Sequence, residues 1–264
     1  MFVDLSTLVG KSILRFLTFT GKLVRFTFYS FGLILVPPFR LNQYCNVAIS
    51  VGVRSLPIAN LSALFVGMVM VLNTGYQLQK FGAKIYSAGI AAIALSREMI
   101  PVFTAVVVGS RVAASIAAEL GTMRVTEQID AMDSLAVNPV KYLVVPRILA
   151  CIFMLPVLTI YSDLVGFVGG LFVGATSLNI PPMLYFKHTV NFLTLNDLYS
   201  GIFKTFFFGA IIGIVGCFCG FETRGGAEGV GKSTTLAVVL TLILILISDY
   251  LLTTWILTFT GLMA

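Results

Sequence analysis

Five long apolar stretches decide what this chain can fold into. They lie at about 47–74, 89–118, 148–178, 201–221 and 234–262, and each reaches the roughly 20 residues that cross the hydrocarbon core of a bilayer. Of 264 residues, 58% are hydrophobic and only 11% charged, whereas a soluble domain carries about 25% charge. The chain therefore reads as an all-α integral membrane protein, one membrane domain over 1–264 with its transmembrane bundle at 47–262. Several stretches exceed the minimum, so tilts or breaks are expected. The 24 glycines fit the same class, because glycine lets membrane helices approach closely. Cys45, Cys151, Cys217 and Cys219 lie in or beside apolar segments without metal-ligand spacing and read as small packing residues. His188 is the only histidine, and no metal ligand set is expected.

Ahead of the bundle, within residues 1–40, Lys11, Arg15, Thr18, Lys22, Arg25 and Tyr29 form one polar stripe at helical spacing. Leu14, Phe16, Leu17, Phe19, Leu23, Val24, Phe26 and Phe28 fill the remainder. The pattern predicts an amphipathic interfacial helix whose cations face anionic headgroups; a sixth spanning helix is the alternative. Pro37-Pro38 then turns the chain toward the first span. The net charge of +6 informs topology more than partners, and no nucleic-acid partner is expected. A cytoplasmic N-terminus places Arg40, Arg124, Lys141, Arg147, Arg224 and Lys232 on the same side as the stripe, leaving Lys80, Lys84 and Lys187 opposite. The positive-inside rule favours that arrangement, with the C-terminus on the outer side.

Gly226-Ala227-Glu228-Gly229-Val230-Gly231-Lys232-Ser233 matches the phosphate-binding pattern G-x-x-x-x-G-K-[ST]. A working P-loop needs a buried strand before it, an amphipathic helix after it and a second strand ending in a magnesium-linked aspartate. Here Leu236 to Leu252 is almost unbroken aliphatic sequence, and too few residues follow Ser233 to build a nucleotide-binding domain. The match is therefore read as spurious and the chain as no enzyme.

The longest polar connection runs from Glu119 to Arg147, with a helical segment at about 126–133 capped by Thr126. Its acidic residues Glu127, Asp130 and Asp133 flank a face made of Val125, Ile129, Met132 and Ala136. Such a helix suits docking into the groove of a soluble partner; an ordinary interfacial loop helix fits the spacing equally well. Within the spans, Arg97, Glu98 and Arg111 are expensive charges that need partners or a role. Arg97 and Lys204, with Tyr76 nearby, could offer cations to a phosphate from an outward-facing cavity. Alternatively Arg97, Lys204, Asp163 and Asp249 pair across helices as polar glue.

Gly109-Ser110-Arg111, followed by Ala118-Glu119-Leu120-Gly121-Thr122-Met123-Arg124-Val125-Thr126-Glu127-Gln128-Ile129-Asp130-Ala131, resembles a signature of the MlaE/YrbE-type permeases, and so does Arg224 to Gly231 continuing through Thr234-Thr235 to Val239. These are the membrane subunits of MCE-family ABC lipid transporters. The resemblance implies a homodimer in the inner membrane of a Gram-negative bacterium, with plastid relatives. It implies two cytoplasmic ABC ATPase subunits that bind the ATP and magnesium, and a periplasmic hexamer of MCE domains. The substrate it implies is phospholipid moving between inner and outer membranes, which maintains outer-membrane lipid asymmetry. Segment 119–138, with Glu119, Arg124, Glu127, Asp130 and Asp133, is then the ATPase-coupling segment, and Tyr76, Arg97, Glu98 and Lys204 fall along the lipid cavity. A secondary transporter, or an ABC permease for another hydrophobic substrate, is the rival reading; the former predicts paired interrupted helices or an internal repeat, and neither is evident.

Overall fold

The computed structural model describes residues 2–34 and 41–259. The turn expected at Pro37-Pro38, the cation Arg40 and the last residues of the fifth apolar stretch lie outside the described residues. Among the described residues there is no strand, as lipid-facing backbone demands: every polar group of a spanning segment must be satisfied within the chain. Ten α-helices are described: α1 (Phe2–Ile34), α2 (Leu41–Val51), α3 (Leu56–Gln79), α4 (Ser87–Ala94), α5 (Ile100–Val125), α6 (Gln128–Ser134), α7 (Val145–Thr176), α8 (Pro182–Phe192), α9 (Leu195–Phe221) and α10 (Gly226–Phe259).

Five segments are long and apolar enough to cross a membrane: Gln43–Gln79, Lys84–Val125, Val140–Thr176, Leu195–Phe221 and Gly226–Thr258. They start earlier or end later than the apolar stretches predict, because polar residues at both ends continue the helices. The first is α2 and α3 joined by a 3₁₀ turn at Val53–Ser55. The second and third carry interruptions that the sequence does not advertise, wide π turns at Leu95–Met99 and Val140–Val144. In each case a proline follows two residues on, Pro101 and Pro146, where its missing N–H and its ring disfavour a regular α turn.

The helices sort into a bundle in which α3 packs along α7, α5 lies between α9 and α10, and α7 meets α9. Val108, Val112, Leu120, Ile148, Phe208 and Ile212 are buried where these helices converge. Gly67 of α3 abuts the backbone of Gly166 of α7 so closely that a Cβ would overlap the Gly166 carbonyl oxygen. Small residues thus set that separation, as expected where lipid supplies little hydrophobic drive between helices.

The five membrane-crossing segments do not include α1. Its aromatic side meets α9, with Phe19 and Phe26 edge-on to Phe218 at ring separations of 5.3 and 5.7 Å. The polar stripe is not wholly turned to headgroups, however. Lys22 pairs with Glu222 at 2.8 Å, and Asn138 Nδ2 donates to Tyr29 Oη at 2.8 Å. The far half of the stripe is held by the loop after α6 and by the end of α9. At the opposite end of the bundle, α8 is an element the sequence reading lacks. It packs on α4, and the ring of Tyr185 is buried against Gly174 of α7.

Candidate functional site

The site begins with a backbone defect. Pro101 has no N–H to offer the carbonyl four residues earlier, and that carbonyl, on Arg97, accepts from Lys204 Nζ at 3.3 Å. Lys204 reaches it because Gly201 lets α9 press against the π turn; a Cβ there would overlap the Ser96 carbonyl oxygen. The same ammonium meets Glu98 Oε2 at 2.6 Å, Asp249 Oδ1 at 3.1 Å and Thr253 Oγ1 at 2.6 Å. Arg97 and Glu98 point apart, as adjacent helical residues must, and find different partners. Arg97 Nε lies 2.6 Å from Asp197 Oδ1. The other oxygen of Asp197 closes a capping box at the start of α9, accepting from Thr194 N at 2.9 Å and Thr194 Oγ1 at 2.7 Å.

This network bears on one expectation. Lys204 is 1% exposed and held by two carboxylates and a hydroxyl, so it acts as a counterion inside the bundle while its side chain also lines the adjoining cleft. Arg97 and Glu98 line the same cleft with more exposed side chains, 29% and 34%. That cleft, of about 360 Å³, is walled by Ile90, Ile93 and Ala94 on one side and Ile256 and Leu257 on the other. It combines apolar walls with a few polar groups, the composition usual for small-molecule sites. Tyr76 does not belong to it: it stands 57% exposed near the end of α3 and is not among the cleft's lining residues. Asp163 also stays out of the network, buried in α7 with its Oδ1 unpartnered among the described residues. Asp197 and Thr253 are the members sequence reasoning missed. Thr194-x-x-Asp197 ahead of an apolar run is a legible capping box; nothing in a lone threonine inside the last span marks Thr253.

At the other end, segment 119–138, expected to couple to an ATPase, departs from the expected geometry. Its helix starts at Gln128, and Thr126 closes α5, its hydroxyl donating to the Thr122 carbonyl at 2.9 Å. Glu127, at φ 59°, sits in the left-handed region and makes the reversal. The apolar face is only half free. Ile129 is buried and Met132 packs on the core, while Val125 and Ala136 at its ends stay exposed; the outward side of α6 consists of Gln128, Asp130, Ala131, Asp133 and Ser134, with Leu135 76% exposed just beyond. Asp130 pairs with Arg124. Glu119 lies back along α5, bridged to Arg147 of α7 at 2.6 Å. The outward face of α6 is therefore mostly acidic and polar, with Ala131 on it and Leu135, Ala136 and Val137 exposed just beyond its end.

The Gly226–Ser233 match occupies the first two turns of α10. Lys232 there pairs with Glu228 at 2.6 Å, one turn back, both well exposed.

A multi-pass α-helical bundle with a charged cluster beside an apolar intramembrane cleft, and a polar hairpin helix at one end, is the build of a membrane permease. The sequence profile of a family described as Permease MlaE matches residues 45–255, and the chain belongs to that family. It is 40% identical over 253 residues to a probable ABC transporter permease protein of Rickettsia typhi, covering 96% of this chain and 98% of that one. A probable ABC transporter permease protein of Synechocystis is 46% identical over 202 residues, 76% of this chain and 77% of its own. The Arabidopsis thaliana chloroplastic protein named trigalactosyldiacylglycerol 1 is 37% identical over 204 residues, 77% of this chain and 58% of its own. This protein is thus a membrane permease subunit.

Proposed function

We propose that this permease moves phospholipid, that a separate cytoplasmic ATPase subunit drives it, and that it works as a pair of copies in a bacterial inner membrane beneath a periplasmic MCE-domain hexamer. The observation that carries the lipid reading is the cleft beside the Lys204 network. Its walls are aliphatic, as acyl chains require, and its polar corner holds Arg97, Lys204 and Glu98 with the hydroxyls of Ser200 and Thr253, cations and a carboxylate complementary to the phosphate and amine of a zwitterionic headgroup. The name of the chloroplastic relative refers to a galactolipid, which supports a lipid substrate in general.

The α6 end is assigned to the cytoplasm, because the cations Lys22, Arg25, Arg124 and Lys141 gather there. The α8 end then faces the periplasm. Closure of the ATPase subunits on ATP would pull on the polar face of α6, and α5, continuous with it through Glu127, would carry that movement toward the cleft. Nucleotide chemistry is assigned to the partner. The P-loop match supports this, since its residues already form helix and its lysine is paired with Glu228.

The test is the phospholipid carried by the purified chain assembled with its ATPase. Ile93→Trp fills the cleft without touching a charge and lowers phosphorus per complex. Unchanged bound lipid, with assembly intact, rejects the cleft as the lipid path.

A further inference from the structure

A second polar cleft, of about 240 Å³, opens between α2, α5 and α7 at the α6 end of the bundle. Asn46 and Ser50 come from α2, Arg111, Ser115 and Glu119 from α5, and Arg147 from α7. The two guanidiniums differ in their partners. Arg147, 5% exposed, has a counter-anion: Nη2 donates to Glu119 Oε1 at 2.6 Å and Nη1 to the Leu143 carbonyl at 2.7 Å. Arg111 donates to the neutral Ser55 Oγ at 2.6 Å, and among the described residues it has no ion pair. The cleft therefore holds two cations against one carboxylate. An arginine on a spanning segment without a counter-anion is unfavourable unless something neutralises it. Its remaining N–H groups form a planar fork suited to two oxygens of one anion. The hydroxyls of Ser50 and Ser115 stand at the same cleft with no hydrogen bond among the described residues.

We infer that this cleft is an anion site that takes a phosphate group on Arg111. Along the helix Arg111 lies 14 residues from Arg97, about 21 Å, against a hydrocarbon core of about 30 Å. The two clefts thus address opposite halves of the bilayer. The phosphate has two sources, the headgroup of a phospholipid in the leaflet at the α6 end, or free phosphate from the adjoining solution. The site's assignment to the cytoplasmic side rests on the orientation proposed above; the anion chemistry does not.

The experiment titrates the detergent-purified full chain, assembled with its ATPase partner, with dihexanoyl phosphatidylglycerol and separately with inorganic phosphate. The midpoint of thermal unfolding reports binding. A rise with the lipid that inorganic phosphate does not reproduce identifies the source as a headgroup; the reverse identifies free phosphate. Either supports the site if Arg111→Gln weakens the effect about tenfold or more, as loss of a charge-assisted contact requires, and Arg111→Lys retains part of it. Ser115→Trp blocks the cleft mouth with Arg111 intact, and decides the matter should Arg111→Gln fail to fold. No shift with either probe, or shifts untouched by Arg111→Gln and Ser115→Trp, overturns the site. So does ready disulfide formation between two copies through Ser115→Cys, which would show the cleft covered by a second chain. Ile93→Trp separates the two readings. If it lowers bound lipid while Arg111→Gln does nothing, this site fails and the lipid permease stands; if both are inert, the lipid reading fails as well.

Discussion

Replacing Lys204 by methionine is the sharpest test of the charged network. The ammonium sits 2.6 Å from Glu98 and 3.1 Å from Asp249. At an effective dielectric near 20, the two contacts have gross attractions of about 5–6 kcal/mol each, most of it offset by the desolvation of the ions. The net loss on removing one partner of a buried pair is about 3–5 kcal/mol, because the remaining charge is left uncompensated. Here two carboxylates are left together, but their side chains are 34% and 21% exposed, so solvent or headgroup water screens part of the repulsion. The expected destabilisation is therefore near the lower end, about 3 kcal/mol. Reversible unfolding in mixed detergent micelles measures it. The triple variant Lys204→Met, Glu98→Gln, Asp249→Asn removes the charges on both sides and should recover most of the loss, since replacing a whole buried ionic cluster by neutral groups is often near neutral. A single variant less than about 1 kcal/mol below wild type, or a triple variant no better than the single, refutes Lys204 as the counterion of the cluster.

On α6, Asp130→Lys combined with Asp133→Lys reverses the charge of the outward face and should cut copurification of the ATPase subunit about tenfold; stoichiometric assembly with normal ATP hydrolysis would remove α6 from the coupling role. Gly67→Val drives a branched side chain into the Gly166 backbone and should destabilise the chain by about 1–3 kcal/mol, the usual range for overpacking, as measured by thermal unfolding in detergent. Lys232→Ala removes only an exposed i,i+4 pair, so stability should change by less than about 0.5 kcal/mol and ATP-driven lipid transfer should persist; ATP binding to the isolated chain that vanishes in this variant would contradict the partner assignment.

The architecture was legible because lipid leaves the backbone so few options: long apolar runs can only be helices, and the five spans follow. What stayed hidden was how charges inside those runs pair. Lys204 and Glu98 are brought together by a π turn and a helix contact across more than a hundred residues, and neither leaves a periodic trace. In an almost wholly apolar span, one extra residue in a turn changes no hydropathy pattern, although Pro101 and Pro146 mark the two places where it happens. On α6 the spacing of Val125, Ile129, Met132 and Ala136 predicts an apolar face, but spacing does not say what covers its inner two residues. The answer is the chain's own core. The segment that became α8 has a proline, a lysine, a histidine and an asparagine among its apolar residues, too mixed to announce a helix in a chain otherwise so hydrophobic.

The π turn at Leu95–Met99 also sets a phase. A regular α-helix advances about 100° per residue, so one surplus residue rotates all of α4 relative to α5 by that angle. It lets the alanine-rich outer half face α3 and α8 while the inner half faces α9 and α10. Deleting a single residue between 95 and 99 would heal the helix locally and still wreck the bundle, because one of its halves must then turn the wrong surface inward. Local regularity and global fit are opposed at this one turn. A segment caught in that opposition can shift by one residue at small local expense, and any slip of the turn along the helix would swing Arg97 and Glu98 around the axis together.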